Sequence, residues 1–174
     1  MSTGGAGGTP EPSLVYLGLG SNMGDRMGNL AAAIERLRVH AVIGTVASVY
    51  ETAPIGYEEQ PMFLNTALSA TTHLAPPELL RFAKAIEVEL GRQPSFRNAP
   101  RPIDIDILLC GDLIVRTPEL TIPHPGIAER AFVLAPLSEI AFEVVHPVSA
   151  RRIGDLLDDV GMEGVRVVGR LEAN

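Results

Sequence analysis

The chain has 174 residues and 46% of them are hydrophobic, which is enough for one compact domain with a sizeable core. A formal net charge of −7 argues against a protein that binds nucleic acid or anionic membranes through bulk positive charge. The single cysteine, Cys110, excludes an intrachain disulfide framework and a cysteine zinc site.

The N-terminus predicts a tail rather than a targeting segment. Residues 1–12 are rich in Gly and Pro and lack the basic and apolar regions of a signal peptide. No apolar run in the sequence approaches the roughly 18 residues that a membrane-spanning helix needs. We therefore expect a flexible tail over residues 1–12, a single domain over residues 13–174, and a cytoplasmic protein that is a monomer or a weak oligomer.

The first half of the chain predicts a strand, a helix and a second strand. Leu14–Leu19 is a continuous apolar run typical of a buried strand, and residues 20–25 form a turn with several residues that cap helices. Apolar residues then recur at the three-to-four spacing of an amphipathic helix, namely Leu30, Ile34, Leu37 and Ala41. Val42–Thr52 is rich in β-branched residues and predicts the second strand.

The middle of the chain predicts two long loops and two further strands. Residues 53–61 contain Pro and Gly and predict a loop longer than a tight hairpin requires, before a third strand at Phe63–Thr72. A helix opens at two adjacent prolines and spans about residues 76–91, where a glycine ends it. The second loop, residues 92–102, precedes a fourth strand at Ile103–Leu109.

The C-terminal third predicts short elements. Residues 111–112 indicate a turn into residues 113–115, and a helix is expected near Ile153–Val160 among other short helices and loops. The order strand–helix–strand–strand–helix–strand is that of a ferredoxin-like α+β sandwich with a mainly antiparallel sheet. The two helices would cover one face, and the C-terminal segments would be available for the other.

The strongest chemical signal is an alternation of aspartate and isoleucine in residues 101–107. Because side chains alternate on a strand, Asp104 and Asp106 share one face, with Cα atoms roughly 6–7 Å apart, and the isoleucines share the other. Two like charges this close raise each other's pKa unless a cation stabilises them, and such oxygen ligands suit Mg²⁺ bound to nucleotide phosphates. An amphipathic edge strand with a solvated acidic face is the alternative interpretation.

Four cations precede these aspartates in a chain of negative net charge. They are Lys84, Arg92, Arg97 and Arg101. Cations beside metal-binding carboxylates favour phosphate transfer, because they share the negative charge of a polyphosphate with the metal. For any one arginine the simpler interpretation is a solvated loop that pairs with Glu87 and Glu89, but the combination favours a phosphate site.

Two other features leave alternatives open. His124 lies in a Pro-bounded turn, where it would either hold the turn by a hydrogen bond or contact phosphate oxygens. The segment 18–24 has glycines that resemble a dinucleotide-binding loop, but the third glycine would fall at Met23, so we reject that interpretation. We expect these glycines to allow a tight turn from strand to helix.

Six separated segments follow the order of one enzyme family and cover about residues 14–147. They are Gly20–Asn22; Tyr50–Gly56; Gln60–Asn65; Ile86-Glu87 with Gly91-Arg92; Pro100–Leu108; and Pro123–Pro125 with Arg130–Leu137. Together they resemble the 6-hydroxymethyl-7,8-dihydropterin pyrophosphokinase family, and the last two segments are the most specific.

The resemblance implies a ferredoxin-like fold and a step of folate synthesis. Diphosphate would pass from ATP to the hydroxymethyl group of 6-hydroxymethyl-7,8-dihydropterin, with AMP as by-product and two Mg²⁺ ions held by Asp104 and Asp106. The implied catalytic residues are Arg97, Arg101, Asp104 and Asp106. The implied ATP-binding residues are Lys84, Glu87, Arg92, Arg101, Ile107, Thr121, His124 and Arg130. The implied pterin-binding residues are Thr52, Ala53, Ile55, Phe63, Asn65 and Phe132.

The chain departs from the family pattern mainly in the second loop. Asn98-Ala99 stand where a Trp-Gly pair is usual, and Pro102 replaces a commoner threonine. Further departures are Ala53 for proline, Pro94 for a basic residue, and Pro125 for an aromatic residue. All of them leave the two aspartates in place.

The resulting hypothesis is in-line attack of the pterin hydroxymethyl oxygen on the β-phosphorus of ATP, with the loops at residues 53–61 and 92–102 as lids. Two alternatives come from other classes. One is a ligand-binding module without catalysis, and the other is a Mg²⁺-dependent nucleotidyl transferase that releases pyrophosphate rather than AMP. Neither explains the segments at 52–65 and 123–132.

Overall fold

The computed structural model describes residues 11–54 and 59–171, which form eight strands and four helices. In chain order they are β1 (Ser13–Ser21), α1 (Arg26–Leu37), β2 (Ala41–Val46), β3 (Val49–Thr52), β4 (Phe63–Thr72), α2 (Pro76–Glu89), β5 (Asp104–Cys110), β6 (Val115–Arg116), β7 (Thr121–Ile122), α3 (Ala131–Ala141), α4 (Ile153–Val160) and β8 (Val165–Gly169).

Six strands form one antiparallel sheet in the order β5-β1-β4-β3-β8, with β2 also paired to β4. The central pair β1–β4 runs in register from Ser13 opposite Thr72 to Ser21 opposite Leu64. Strands β6 and β7 form a separate two-stranded hairpin. The expected α+β fold with a mainly antiparallel sheet is confirmed, and β5 lies at one edge of the sheet.

Each face of the sheet packs against a different pair of helices. Leu17 and Leu19 of β1 lie in the core under α1 and α2, while Tyr16 lies in the core under α3 and α4. This follows from the period of two along a strand, which sends neighbouring side chains to opposite faces. Helices on one face and C-terminal segments on the other is the arrangement that the sequence predicts.

The predicted second strand is two strands. β2 ends at Val46 and β3 begins at Val49, and both pair with β4, which is long enough to hold them end to end. Between them the backbone N–H of Ala47 donates to the carbonyl of Ala67 at 2.8 Å. Ala41 was expected on the preceding helix, but it is the first residue of β2, because α1 ends at Leu37.

The C-terminal third contains one helix that the sequence predicts and other elements whose patterns are weak. The predicted helix at Ile153–Val160 and the turn at residues 111–112 are confirmed, and a short strand follows at Val115–Arg116. Helix α3 is apolar on nearly every side and contains Pro136, so its sequence shows no amphipathic period. Strand β8 has only five residues and no alternating pattern.

Two predicted segments lie partly outside the residues that the structure describes. The tail at residues 1–12 is described only at residues 11–12, and the first loop only at residues 53–54 and 59–61. Residues 53–54 and 59–61 belong to neither helix nor strand, as expected for a loop. Over the described ranges, no helix is long and apolar enough to cross a membrane.

Candidate functional site

The aspartate pair lies on the open face of strand β5. Ile105 and Ile107 are 1% and 4% exposed in the core under α1 and α2, whereas Asp104 and Asp106 point to the opposite face and are partly exposed. The alternation therefore places the residues as the sequence predicts.

Glycines on the neighbouring strand leave space beside both carboxylates. Gly18 pairs with Asp106 and Gly20 pairs with Asp104 across the β1–β5 ladder. The expectation that the glycines of residues 18–24 serve a tight turn is wrong for Gly18 and Gly20, which lie inside β1, but holds for Gly24, which has a φ of 73° between β1 and α1. A Cβ on Gly20 would lie 2.9 Å from the side-chain oxygen of Asn65, so the strand approaches its surroundings too closely for a larger residue.

A central pocket of about 190 Å³ opens over these glycines. Strands β1, β3, β4 and β5, the loop before β5, and the start of α3 all contribute to its lining. Its walls include five of the six residues predicted to bind a pterin, namely Thr52, Ala53, Phe63, Asn65 and Phe132. The sixth, Ile55, lies outside the described residues. Both aspartates also line the pocket, together with Arg97, Arg101 and Arg130.

The polar floor of the central pocket is held by a buried hydrogen bond. Asn65 is 7% exposed and its side-chain amide donates to the hydroxyl of Thr52 at 2.7 Å. This bond fixes the amide, so its oxygen has a defined direction at the floor of the pocket. The arrangement suits a flat heteroaromatic ring whose edge carries donors and acceptors, with Phe63 and Phe132 as apolar walls.

A second depression of about 240 Å³, the side cleft, lies on the other side of β5. It brings together four of the residues predicted to bind ATP, namely Lys84, Ile107, Thr121 and His124. Asp106 lines both the side cleft and the central pocket. One carboxylate therefore stands where two ligands would meet.

The arginines converge on Asp104 from two directions. Arg92 donates to Asp104 at 2.9 Å, and a terminal nitrogen of Arg101 lies 3.6 Å from the other carboxylate oxygen. The Arg101 guanidinium also stacks 4.9 Å from the centre of the Phe63 ring, and its buried Nε has no hydrogen-bond partner among the residues that the structure describes. Because Arg101 lines the central pocket, its guanidinium charge fits a site that receives an anionic oxygen. Arg97 is exposed on the same loop.

Glu87 is a buried residue that contacts Arg92, Lys84 and the backbone of β5. It is 2% exposed, accepts the backbone N–H of Ile105 at 2.8 Å, and lies 3.0 Å from Arg92 and 3.3 Å from Lys84. The pairing of Arg92 with Glu87 is the simpler alternative that the sequence allowed, but Arg92 bonds Asp104 as well. Glu89 pairs with Arg36 and takes no part. These contacts favour a positioning role for Glu87 over direct contact with a nucleotide.

The turn-holding hydrogen bond expected of His124 is present, and its contact with phosphate oxygens stays a prediction. Its Nδ1 accepts the backbone N–H of Gly126 at 3.0 Å, while its Nε2 lies 3.9 Å from Asp106. Burial, and then the charge of Arg130, lower the pKa of His124. The ring is therefore neutral at pH 7 and carries its proton on Nε2, facing Asp106 and the side cleft.

Burial, and then the nearby charge of Asp104, raise the pKa of Asp106 to about 7. Without a cation the pair resists double ionisation, as expected for two carboxylates that share a site. No group of three or more His, Cys, Asp or Glu side chains that could hold a metal occurs among residues 11–54 and 59–171. A metal at this pair would therefore take its remaining ligands from phosphate and water, the mode that Mg²⁺ prefers.

A polar network that the sequence did not reveal joins the two predicted lids. Asn22 is fully buried; its side chain donates to Gln60 at 2.7 Å and accepts the backbone N–H of Arg101 at 2.9 Å. Gln60 in turn donates to the carbonyl of Asn98 at 2.9 Å. The sequence placed Asn22 and Gln60 in two of the segments that resemble the family, but it did not show that they bond each other.

The chain matches one protein family over most of its length. The matching family model is described as 7,8-dihydro-6-hydroxymethylpterin-pyrophosphokinase (HPPK) and spans residues 16–142. A 2-amino-4-hydroxy-6-hydroxymethyldihydropteridine pyrophosphokinase of Aquifex aeolicus is 48% identical over 77% of this chain and 84% of its own length. The protein of the same name from Bacillus subtilis is 43% identical over 89% of this chain and 90% of its own length.

Longer relatives contain a region similar to this chain. The folic acid synthesis protein FOL1 of Dictyostelium discoideum is 46% identical over 78% of this chain, which spans 20% of that protein. The crystal structure of wild-type Plasmodium falciparum HPPK-DHPS with STZ-DHP has a TM-score of 0.73 at 16% identity and covers 93% of this chain and 48% of its own. At that identity the likeness shows the fold.

Proposed function

The chain belongs to the 7,8-dihydro-6-hydroxymethylpterin-pyrophosphokinase family, and from that premise we propose how its two depressions divide the reaction. It is an ATP-dependent diphosphokinase that acts on hydroxymethyldihydropterin in folate synthesis. We assign ATP to the side cleft and the pterin to the central pocket. The observation that carries this assignment is the position of Asp106, which lines both.

The pterin ring would lie between Phe63 and Phe132. Its amide-like edge would meet Asn65, Thr52 and the backbone at Ala53, all of which line the central pocket. Ile55 keeps its predicted role in this proposal, since it follows Ala53 by two residues in the sequence. With the ring so placed, the hydroxymethyl group would point toward β5, where the transferred phosphate arrives.

ATP would lie in the side cleft with its phosphates toward β5. Lys84, Thr121 and His124 would contact it there, beside the strand backbone at Ile107, and the neutral His124 ring would donate from Nε2. Arg101 and Arg130 approach from the central pocket, and Arg92 lies beside Asp104. A polyphosphate that spans the two depressions therefore meets cations along its length.

Asp104 and Asp106 fit two Mg²⁺ ions. The fit rests on the raised pKa of Asp106 and on the glycines that leave space beside both carboxylates. Bound Mg²⁺ would neutralise phosphate charge and lower the pKa of the attacking hydroxyl. When the phosphates bind, Arg92 and Arg101 would exchange Asp104 for phosphate oxygens.

The residues of this chain would then position the two substrates and neutralise the phosphate charge. The hydroxymethyl oxygen attacks the β-phosphorus of ATP, the bond to the α-phosphate bridging oxygen breaks, and AMP leaves. Arg97 and Arg101 neutralise charge that moves toward the leaving phosphate. In a loose transition state the attacking oxygen has formed little of its new bond, so a general base contributes little to the rate. The loops at residues 53–61 and 92–102 would exclude water that otherwise hydrolyses ATP.

The decisive experiment incubates the purified protein with ATP, Mg²⁺ and 6-hydroxymethyl-7,8-dihydropterin. We expect AMP and a diphosphorylated pterin in equal amounts, and little AMP without the pterin. Pyrophosphate as product would instead favour a nucleotidyl transferase, and binding of both ligands without AMP would favour a binding module. The protein is proposed to work in the cytoplasm as a monomer or weak oligomer.

A further inference from the structure

A partly buried polar contact joins helix α3 to strand β3 away from the reacting groups. The hydroxyl of Tyr50 donates to one carboxylate oxygen of Glu139 at 2.7 Å, and the backbone N–H of Ser48 donates to the other at 2.8 Å. Tyr50 and Ser48 are each 6% exposed. Burial and the bond to Glu139 raise the pKa of Tyr50, so the phenol stays protonated and the carboxylate accepts.

The two partners belong to the elements that carry opposite walls of the central pocket. Tyr50 lies two residues before Thr52, so both side chains point to the same face of β3. Glu139 follows Phe132 by two helical turns, so the two residues share one face of α3. The contact therefore ties α3, which carries Phe132 in one wall of the pocket, to β3, which carries Thr52 in its floor. This contact between Tyr50 and Glu139 is called the tie below.

Helix α3 depends on tertiary contacts for its position. It has 11 residues, and Pro136 lacks the N–H that would bond the carbonyl of Phe132. A helix this short is not stable by itself, so tertiary contacts decide where it sits. Its buried residues, such as Leu134 and Leu137, hold it on the sheet by apolar contact, which is not directional. The short hydrogen bond from Tyr50 is directional and fixes the position of α3 along the helix axis.

We propose that Tyr50 and Glu139 are positioning residues that set the width of the pterin site by fixing α3 against β3. The inference rests on the proposed assignment of the central pocket to the pterin. No residue of α3 lines the side cleft, so the contacts of ATP there are independent of this tie. Arg170, 3.7 Å from Glu139, extends the tie to the C-terminal segment beyond the matched family region of residues 16–142.

The test compares steady-state kinetics of three variants with the wild type. We expect Tyr50→Phe and Glu139→Ala each to raise the KM for the pterin about 5- to 10-fold, the loss of roughly one net hydrogen bond. The KM for ATP should stay within about twofold. Glu139→Gln keeps one acceptor and should fall between the wild type and Glu139→Ala. The double variant Tyr50→Phe/Glu139→Ala should be no worse than Glu139→Ala, because that single variant already removes the acceptor of the Tyr50 hydroxyl.

A matched control separates positioning from simple stability. Thr72 is 2% exposed and donates to the carbonyl of His40 at 2.7 Å, at the end of β4 far from the pocket. Thr72→Val should lower the Tm about as much as Tyr50→Phe and leave the pterin KM unchanged. The inference is overturned if Tyr50→Phe and Glu139→Gln lower the Tm while the pterin KM stays that of the wild type. If the wild type itself forms no pterin-dependent AMP, the proposed function fails instead.

Discussion

The two faces of the sheet differ in composition: one is fully packed against helices, and the other carries the central pocket. The face under α1 and α2 is closed by aliphatic residues such as Leu17, Leu30 and Ile105, each at most 1% exposed. The face under α3 and α4 is closed only over part of its area; elsewhere it carries glycines, aspartates and the buried Asn65. The first face therefore contributes most of the buried apolar area. The second face buries less apolar area because part of it lines the binding site.

The largest expected effect tests the open face. Asp106→Ala should lower kcat on the order of 1,000-fold, because the residue stands where both substrates meet and binds the proposed metal. The pterin-dependent AMP assay measures this. Asp112→Ala, at an exposed position in the turn after β5, is the matched control and should behave as the wild type. Near-normal turnover of Asp106→Ala would remove the metal assignment.

The corresponding change on the closed face should reduce stability rather than turnover. Leu17→Ala opens a cavity at a side chain with no exposure and should cost about 3 kcal/mol of unfolding free energy. Denaturant unfolding measures the loss, and kcat per folded molecule should stay within about twofold. Val42→Ala, at a residue that is 72% exposed, should change neither quantity. A large fall in kcat for Leu17→Ala would show that the two faces are not independent.

A glycine substitution sharpens the comparison at the floor of the pocket. Gly20→Ala would push against the side-chain oxygen of Asn65 and should raise the pterin KM about tenfold, while the KM for ATP stays constant. Gly44→Ala makes a comparable close contact, 2.6 Å from the Ser69 hydroxyl, on β2 away from the pocket. That control should affect the Tm alone. Equal pterin KM values in the two variants would argue against the assigned pterin site.

The link between the lids should have a moderate effect. Gln60→Ala removes the bonds that join Asn22 to the carbonyl of Asn98, and we expect kcat/KM for the pterin to fall roughly tenfold. The Tm should change by little, since Gln60 is only partly buried. Gln93→Ala, an exposed glutamine of the second loop, serves as control. If both variants behave alike, the network does not position the loops.

The smallest expected effect concerns stability and pH. The pKa of Asp106 is raised to about 7, so ionisation is less favourable in the folded chain, and the cost to stability grows as pH rises from about 4 to 7. The carboxylate is 39% exposed, so solvent limits the cost to about 1 kcal/mol. In EDTA, Asp106→Asn should therefore have a higher Tm than the wild type at pH 8, with a smaller difference at pH 5. A difference that shrinks with rising pH would contradict the shift.

Added Mg²⁺ provides a second readout of the same carboxylate. It should raise the Tm of the wild type at pH 8, because a cation favours the ionised pair, and it should do so less for Asp106→Asn. Equal stabilisation of both proteins would mean that the ion binds elsewhere.

The sequence was most informative where one local rule governed a segment. Strand β4 and helix α4 have the bounds that their patterns predict, and the faces of β5 follow from alternation alone. The family and its reaction were also recognisable from motifs, which the comparisons confirm. The assignment of individual site residues stays a prediction, although the fold brings those that it describes into or beside two adjoining depressions.

The sequence by itself determined the strand and helix periods, the two faces of β5 and the chemistry of its carboxylates, because each depends on residues a few positions apart. Only the tertiary structure decided that 42–52 divides into two strands, that Gly18 and Gly20 stand opposite the aspartates, and that Tyr50 reaches Glu139. Those features join residues far apart in the chain. Pairing registers and buried hydrogen bonds of this kind arise only when the sheet and its helices have packed together.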